Sequence, residues 1–146
     1  MNKIKVLFVC IHNSARSQMA EAFLNQMAGN EFFAESAGLE PGTLNPLVVE
    51  AMKEVNIDIS GWQVKSVFDF FTQGRNFNFV ISVCDMANGE RCPIFPGIAR
   101  RISWDFPDPS SFTGTHDEKL DQTRLVRQQI RSQIVEFIKT HHLVNF

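Results

Sequence analysis

Residues 5–20 read KVLFVCIHNSARSQMA, and this stretch decides the fold. Its first part, residues 5–9, is a short apolar run of strand-forming residues, which is typical of a buried strand. A polar loop follows at residues 10–17, and apolar residues at helical spacing then continue until Gly29, where the helix is expected to stop. A strand, a loop and a helix in this order predict the first unit of a parallel sheet.

The rest of the chain alternates in the same way. Further strands are predicted at residues 32–36, 77–83 and 99–103, and further helices at residues 45–55, at residues 67–71 and from Thr115 onward. Asn45 and Pro46 suit the cap and the first turn of a helix, and Thr115 with Glu118 forms a capping-box pattern. Residues 104–114 hold two prolines and a glycine and are expected to form a loop. The pattern predicts one α/β domain over residues 1–146, with a parallel sheet covered by helices on both faces.

Composition excludes several classes of function. A chain of 146 residues with 44% hydrophobic content can bury the core of one domain. The formal net charge of -2 gives no electrostatic basis for binding nucleic acid. No apolar run approaches the roughly 18 residues of a membrane span, and the apolar start is too short for a secretory signal. We therefore expect a cytoplasmic protein with neither a nucleic-acid nor a membrane partner.

The loop at residues 10–17 carries the strongest functional signal, a Cys-x5-Arg pattern formed by Cys10 and Arg16. Ligands of open parallel sheets bind at the carboxyl ends of the strands. There, backbone N–H groups and the positive end of the next helix form an anion cradle. The guanidinium of Arg16 adds planar donors suited to a tetrahedral oxyanion. A chance pairing of Cys and Arg is the alternative, and the position of the loop between a strand and a helix disfavours it.

The same electrostatic field bears on the nucleophile. It is expected to lower the pKa of the Cys10 thiol into the range of about 3.5–7.5 known for activated cysteines, and Ser17 can hydrogen-bond the thiolate. Small side chains at Ser14 and Ala15 let the backbone approach the anion. The residues expected to line the cradle beside Cys10 and Arg16 are Ile11, His12, Asn13, Ser14, Ala15 and Ser17.

The reaction of an oxyanion also needs a proton donor, and two carboxylic acids are candidates. Asp105 and Asp108 both follow the last predicted strand. Either could protonate a leaving oxygen, and either could be a simple turn residue, since Asp is frequent in turns. Spacing alone leaves the two residues even.

Three cysteines are present, and an odd number argues against a structural disulfide framework. Cys84 directly follows the predicted strand at residues 77–83, so it is expected at the same edge of the sheet as Cys10. Cys92 follows a polar segment that contains a glycine, a setting that fits poorly with a buried structural cysteine. Their positions favour a role in chemistry, although each could be a small buried hydrophobic residue.

The loop and the run Arg16-Ser17-Gln18-Met19-Ala20 after it resemble the low-molecular-weight protein tyrosine phosphatase fold family. More narrowly, they resemble the arsenate reductases built on that fold, and the resemblance covers nearly the whole chain. It implies a four-stranded parallel sheet in the order 2-1-3-4 and the reduction of arsenate to arsenite. It also implies that Asp108, directly before Pro109, is the general acid.

The resemblance further implies a relay of thiols. Cys10 attacks arsenate, Cys84 then attacks Cys10 and releases arsenite, and Cys92 attacks Cys84 to leave a disulfide for an external reductant. Two thiols supply the two electrons of the reduction. The implied reductant is thioredoxin, with no bound cofactor and no metal, and phosphate or sulfate would compete with arsenate. Seven residues separate Cys84 from Cys92, one more than is usual in the family, so glutaredoxin or glutathione stays an alternative.

A second set of residues is expected to support the loop from behind. Asn13, Glu21 and Ser36 match positions that help to bind potassium in some arsenate reductases of the family, and Lys65 stands where those proteins have an Asp ligand. The lysine ammonium could take the place of the cation. The alternative is a solvated surface lysine, the usual fate of this residue.

Two other functions are weighed against the reductase. A phosphatase of this fold commonly has a Tyr after the Asp-Pro pair, whereas Ser110-Ser111 follow here and the chain has no Tyr. The extra cysteines also argue against a phosphatase, which needs only water to resolve its intermediate. A non-catalytic anion-sensing module would need neither Cys10 nor Asp108.

Overall fold

The computed structural model describes residues 3–13, 15–40, 42–84 and 97–141. Its four strands are β1 (Ile4–Cys10), β2 (Phe32–Gly38), β3 (Phe79–Cys84) and β4 (Arg100–Asp105). Its helices are α1 (Arg16–Ala28), α2 (Pro46–Lys53), α3 (Val67–Thr72) and α4 (His116–His141), with a 3-10 turn at Pro109–Ser111. All strand pairs are parallel, in the order β2-β1-β3-β4. The predicted fold class and strand order are confirmed.

The apolar sequence of β1 is explained by its place inside the sheet, where it is buried on both faces. Val6 and Phe8 point into the larger hydrophobic core, whereas Leu7 and Val9 point into the smaller one. Successive side chains of a strand face opposite sides, so one short run serves two cores. Helices α1, α2 and α4 contribute to the larger core and α3 to the smaller, and helices therefore cover both faces as predicted.

The predicted helix starts are confirmed by their capping bonds. The side chain of Asn45 accepts a hydrogen bond from the Leu47 N–H at 2.8 Å, which begins α2. Thr115 and Glu118 exchange bonds of 3.0 and 3.1 Å in a capping box ahead of α4. Such caps satisfy N–H groups that lack a partner within the helix, and each contributes about 1 kcal/mol to stability.

The end of β4 corrects the sequence prediction. Trp104 was expected to begin a loop, but the strand continues through Asp105. Trp104 is only 9% exposed, and its ring lies 5.8 Å from that of Phe8 and 6.0 Å from that of Phe137, centroid to centroid. The prolines that signalled the loop come later in the chain, so they could not mark where the preceding strand ends. Among the described residues, no helix is long and apolar enough to cross a membrane.

Candidate active site

The Cys-x5-Arg loop lies at the carboxyl edge of the sheet, as predicted, because β1 ends at Cys10 and α1 begins at Arg16. Both side chains are nearly inaccessible to solvent: Cys10 is 2% exposed and Arg16 is 3% exposed. Asn13 and Ser17, which lie between and beside them, are fully buried. The N-terminal end of α1, which is the positive end of the helix dipole, therefore lies at the loop.

The loop turns its carbonyl groups outward. The carbonyls of Cys10, Ile11 and His12 accept hydrogen bonds from the N–H groups of Leu39, Glu40 and Gly42, at 3.1, 2.7 and 3.0 Å respectively. The carbonyl of Asn13 accepts a bond of 3.1 Å from the Gln18 side chain. The N–H of Asn13 faces the opposite way and donates to the Cys10 sulfur at 2.9 Å. This arrangement fits the predicted anion cradle.

Gly38, at the end of β2, makes room for the loop. A Cβ atom at this position would lie 2.7 Å from the Asn13 nitrogen and 2.8 Å from the Ile11 carbonyl oxygen. Both contacts are with backbone that cannot rotate away, so only glycine fits. Asn13 itself has a φ of 55°, in the left-handed region that Asn tolerates better than most residues.

The hydrogen bonds around Cys10 have a defined direction. The backbone N–H of Lys65 can only donate, and its bond of 2.8 Å identifies the acceptor as Oδ1 of Asn13. The other end of that amide, Nδ2, therefore donates to Ser17 Oγ at 2.8 Å. Ser17 Oγ lies 2.9 Å from the Cys10 sulfur, and toward an ionised sulfur, which can only accept, this hydroxyl is the donor. This direction stabilises a thiolate.

The pKa of the Cys10 thiol corrects a second sequence prediction. Burial raises this pKa above its ordinary value, because a thiolate in the loop loses its contact with water. The Ser17 hydroxyl, the charge of Arg16 and the Asn13 N–H lower it, but they do not outweigh burial. The predicted fall in pKa is therefore wrong for this structure. The motif identifies the stabilising neighbours of the thiol, but it does not reveal how deeply the thiol is buried.

Arg16 connects the loop to the segment after β4. Its Nη1 donates to the Phe106 carbonyl at 3.1 Å, and its Nη2 lies 3.6 Å from Oδ2 of Asp108. The other carboxyl oxygen of Asp108 accepts from the Ser110 N–H at 3.0 Å and caps the 3-10 turn. The turn thus holds the carboxyl group beside the loop, so the turn role and the proposed acid role are compatible.

Asp105 is the last residue of β4. It is exposed at the end of β4, and it lines a cavity of about 610 Å³ together with Leu125 and Gln128 of α4. For Asp108 the structure gives a carboxyl oxygen 3.6 Å from Nη2 of Arg16, and its choice as the general acid stays a prediction.

Lys65 is paired behind the loop. Its Nζ lies 3.0 Å from Oε1 of Glu21, and the same oxygen accepts a bond of 2.6 Å from Ser36 Oγ. The Lys65 side chain is 29% exposed, and Glu21 is only 12% exposed. The expected loop-supporting residues thus form one connected group, since the backbone of Lys65 also reaches Asn13. That the ammonium takes the place of a cation stays a prediction.

The remaining predicted site residues are placed as follows. The backbone of Cys84 ends β3, which pairs directly with β1 through Val9 and Ser82, so Cys84 lies at the same edge of the sheet as Cys10. His12 is exposed, and its Nδ1 lies 2.9 Å from the Glu40 carbonyl. Ala15 is buried beside Arg16. Ser14 and Cys92 lie outside the described residues.

Sequence reasoning missed Gln18 and Gly38. Gln18 is fully buried on α1, and its side-chain nitrogen reaches Asn13 and the Gln63 carbonyl. The only signal for Gln18 was a polar residue directly after the loop, and none marked Gly38, because its contacts join distant parts of the chain. The described residues include no group of His, Cys, Asp and Glu that could hold a metal ion.

Comparison with known protein sequences agrees with this geometry. Residues 5–143 match the family model of the low molecular weight phosphotyrosine protein phosphatases. The arsenate reductase of Bacillus subtilis (strain 168) is 41% identical over 139 residues, which cover 95% of this chain and 97% of that protein.

Solved structures give the same picture. A structure of an arsenate reductase in its phosphate-binding state is 32% identical and superposes with a TM-score of 0.74, covering 94% of this chain and 98% of that one. The thioredoxin-dependent arsenate reductase of Corynebacterium glutamicum is 28% identical with a TM-score of 0.67, covering 96% of this chain and 62% of that one.

Proposed function

This chain belongs to the low-molecular-weight phosphotyrosine protein phosphatase family, and on that premise we propose that it reduces arsenate to arsenite with Cys10 as the nucleophile. One observation favours a reductase over a phosphatase. The adjacent strands β1 and β3 both end in a cysteine at the same edge of the sheet. Hydrolysis of a covalent intermediate needs only water, whereas reduction needs a second thiol.

Binding relies on the loop. The oxygens of arsenate accept hydrogen bonds from the inward N–H groups and from the Arg16 guanidinium. Since burial raises the pKa of the Cys10 thiol, its proton must leave as the anion enters, and an oxygen of the bound dianion is a suitable acceptor. The Ser17 hydroxyl then donates to the thiolate that remains.

The first covalent step joins Cys10 to arsenic. The sulfur of Cys10 attacks As(V), one oxygen leaves, and the carboxyl group of Asp108 protonates it so that water departs. Asp108 is suited to this role because its position beside Arg16 is fixed by the bond from Ser110.

The following steps transfer the electrons. Cys84 attacks the Cys10 sulfur, an S–S bond forms, and the electron pair of the S–As bond stays on arsenic, which leaves as arsenite. Cys92 next attacks Cys84, which frees the Cys10 thiol and leaves a Cys84–Cys92 disulfide. An external dithiol reduces that bond. The thioredoxin dependence of the Corynebacterium glutamicum relative supports thioredoxin in this role, and a reducing compartment such as the cytoplasm would supply it.

The test is an arsenate-dependent assay of NADPH oxidation with thioredoxin and thioredoxin reductase, repeated with glutaredoxin and glutathione. We expect oxidation with the wild type and none with Cys10→Ser, because a serine hydroxyl is not ionised at neutral pH. Hydrolysis of an aryl phosphate is measured in parallel. Rapid hydrolysis without arsenate-dependent oxidation by either thiol system would show that the protein is a phosphatase instead.

A further inference from the structure

Gln18 is a polar residue in a buried position, where it makes hydrogen bonds that an apolar side chain could not make. The side chain is fully buried in the first turn of α1, directly behind the loop. Its Nε2 lies 3.1 Å from the Asn13 carbonyl, 3.2 Å from Asn13 Oδ1 and 3.0 Å from the Gln63 carbonyl. All three neighbours are acceptors, so the orientation of the amide is fixed: the nitrogen must face them.

These bonds hold Asn13 at two points. One acts on the backbone carbonyl, next to the left-handed φ of 55° that turns the loop. The other acts on Oδ1, the oxygen that also accepts from the Lys65 N–H. With Oδ1 held by two donors, the Asn13 amide cannot rotate without losing both bonds. Its Nδ2 therefore stays on Ser17 Oγ.

The last link reaches the nucleophile. While Nδ2 of Asn13 donates to Ser17 Oγ, the Ser17 hydroxyl proton stays available for the Cys10 thiolate, which can only accept. We propose that Gln18 is a positioning residue for Cys10: it holds Asn13, Asn13 orients Ser17, and Ser17 donates to the sulfur. The inference rests on the proposed role of Cys10 as the nucleophile.

The bonds of Gln18 also allow its positioning role to be separated from its contribution to stability. Its Oε1 is buried and has no hydrogen-bond partner among the described residues. Gln18→Met removes this unpaired acceptor, which offsets part of the cost of leaving the Asn13 and Gln63 carbonyls without the Gln18 donor. Gln18→Met keeps the length of the side chain and removes the donor, so it is expected to change the chemistry of Cys10 more than the stability of the fold.

The experiment uses the full chain, reduced beforehand, with no external reductant. The first turnover of arsenite release is measured against arsenate concentration, and alkylation of Cys10 by iodoacetamide is followed by peptide mass spectrometry at one fixed pH. Variants are Gln18→Met and Gln18→Glu, which sets a carboxylate against the same three oxygens. The matched control is Gln26→Met, on an exposed position of the same helix.

We expect Gln18→Met to lower the alkylation rate and the first-turnover rate roughly tenfold, the scale of one lost hydrogen bond. The half-saturating arsenate concentration should stay within about twofold, because Arg16 and the inward N–H groups remain. Gln18→Glu should lower both rates further, and Gln26→Met should match the wild type.

Three results would overturn the proposal. Folded Gln18→Met could keep both rates unchanged, or it could lose only its affinity for arsenate. Both variants could also fail to fold, which would make Gln18 a packing residue. Alkylation needs no arsenate. A wild type that releases no arsenite, but whose Cys10 is alkylated faster than in Gln18→Met, would therefore contradict the proposed function and leave this inference standing.

Discussion

The sulfur of Cys10 is cut off from water, accepts a hydrogen bond from the Asn13 N–H and lies 2.9 Å from Ser17 Oγ. Burial favours the neutral thiol, while the donors and Arg16 favour the thiolate. An entering oxyanion changes this balance, since it can accept the proton as it binds. In the proposed mechanism, nucleophile and substrate are therefore activated together, and the raised pKa of Cys10 protects it from side reactions that need a thiolate.

Gly38 gives the sharpest test of the cradle at the level of one residue. In Gly38→Ala, the new Cβ would lie under 3.0 Å from the backbone of the loop, so the loop must move. We expect activity to fall by 100-fold or more, roughly the effect of a 1 Å displacement of reacting groups. Stabilisation by phosphate should be lost as well.

The readouts are the first-turnover rate and the melting temperature with and without phosphate. Gly61→Ala is the control, because a Cβ there meets no atom within 4 Å. If Gly38→Ala keeps both its rate and its response to phosphate, the loop is not the anion site.

Lys65 tests the idea that an ammonium stands in for a cation. Its Nζ shares the Glu21 oxygen with Ser36. If the ammonium fills the site, potassium should not raise the melting temperature of the wild type more than sodium does. Lys65→Asp should create such a difference, because it adds a carboxylate to the same oxygens. A clear preference of the wild type for potassium, measured by thermal unfolding at equal ionic strength, would show that the lysine does not replace the cation.

At the scale of secondary-structure elements, a cluster of charged side chains on the protein surface joins the end of α2 to α4. Glu54, which caps the end of α2, accepts a bond of 2.9 Å from Arg124 Nε and one of 2.8 Å from Arg127 Nη1. Arg127 also donates to the Ala51 carbonyl at 2.7 Å, near the end of the helix where carbonyls lack partners. Hydrogen bonds from Arg124 lower the pKa of Glu54 to about 2, with Arg127 acting in the same direction.

This cluster predicts a pH dependence of stability. The pKa of Glu54 falls from 4.5 to about 2 on folding, so its contribution is complete above pH 4.5 and is lost as the pH falls toward 2. Because the pair is about one-third exposed, screening limits the contribution to about 1 kcal/mol. Glu54→Gln should therefore lower the free energy of unfolding by that amount at neutral pH and flatten its fall in acid.

Urea unfolding at several pH values measures this effect. Glu136→Gln, an exposed change on α4, serves as the control. An acid dependence identical in Glu54→Gln and the wild type would show that the cluster adds nothing to stability.

The elements also show what the sequence can predict. Apolar runs located β1 and β3, and the caps at Asn45 and Thr115 located the starts of α2 and α4, because these signals depend on residues close together in the chain. The strand order came only from resemblance, since no local pattern records which strands pair. The Glu54 cluster joins residues 70 positions apart and had no signal at all. The burial of Cys10 was missed for the same reason: it is produced by the whole fold around the loop.

At the scale of the whole molecule, the parallel sheet places the residues proposed for catalysis along one of its edges. The carboxyl ends of β1, β3 and β4 carry Cys10, Cys84 and the segment that holds Asp108, although these residues are far apart in the chain. The backbones of Cys10 and Cys84 thus end adjacent strands at one edge, and the disulfide between them stays part of the proposed relay. The third thiol of the proposed relay, Cys92, stands between β3 and β4 in the sequence.

This arrangement predicts that each cysteine replacement stops the reaction at a different step. Cys84→Ser should bind arsenate and release little arsenite, because nothing attacks the Cys10 adduct. Cys92→Ser should release about one arsenite per enzyme and then stall as a Cys10–Cys84 disulfide, since the next thiol is missing. Arsenite is measured per mole of enzyme, and non-reducing peptide mapping identifies the bond. Repeated turnover of Cys84→Ser with thioredoxin alone would contradict the relay, because it would require the external thiol to attack the Cys10 adduct directly.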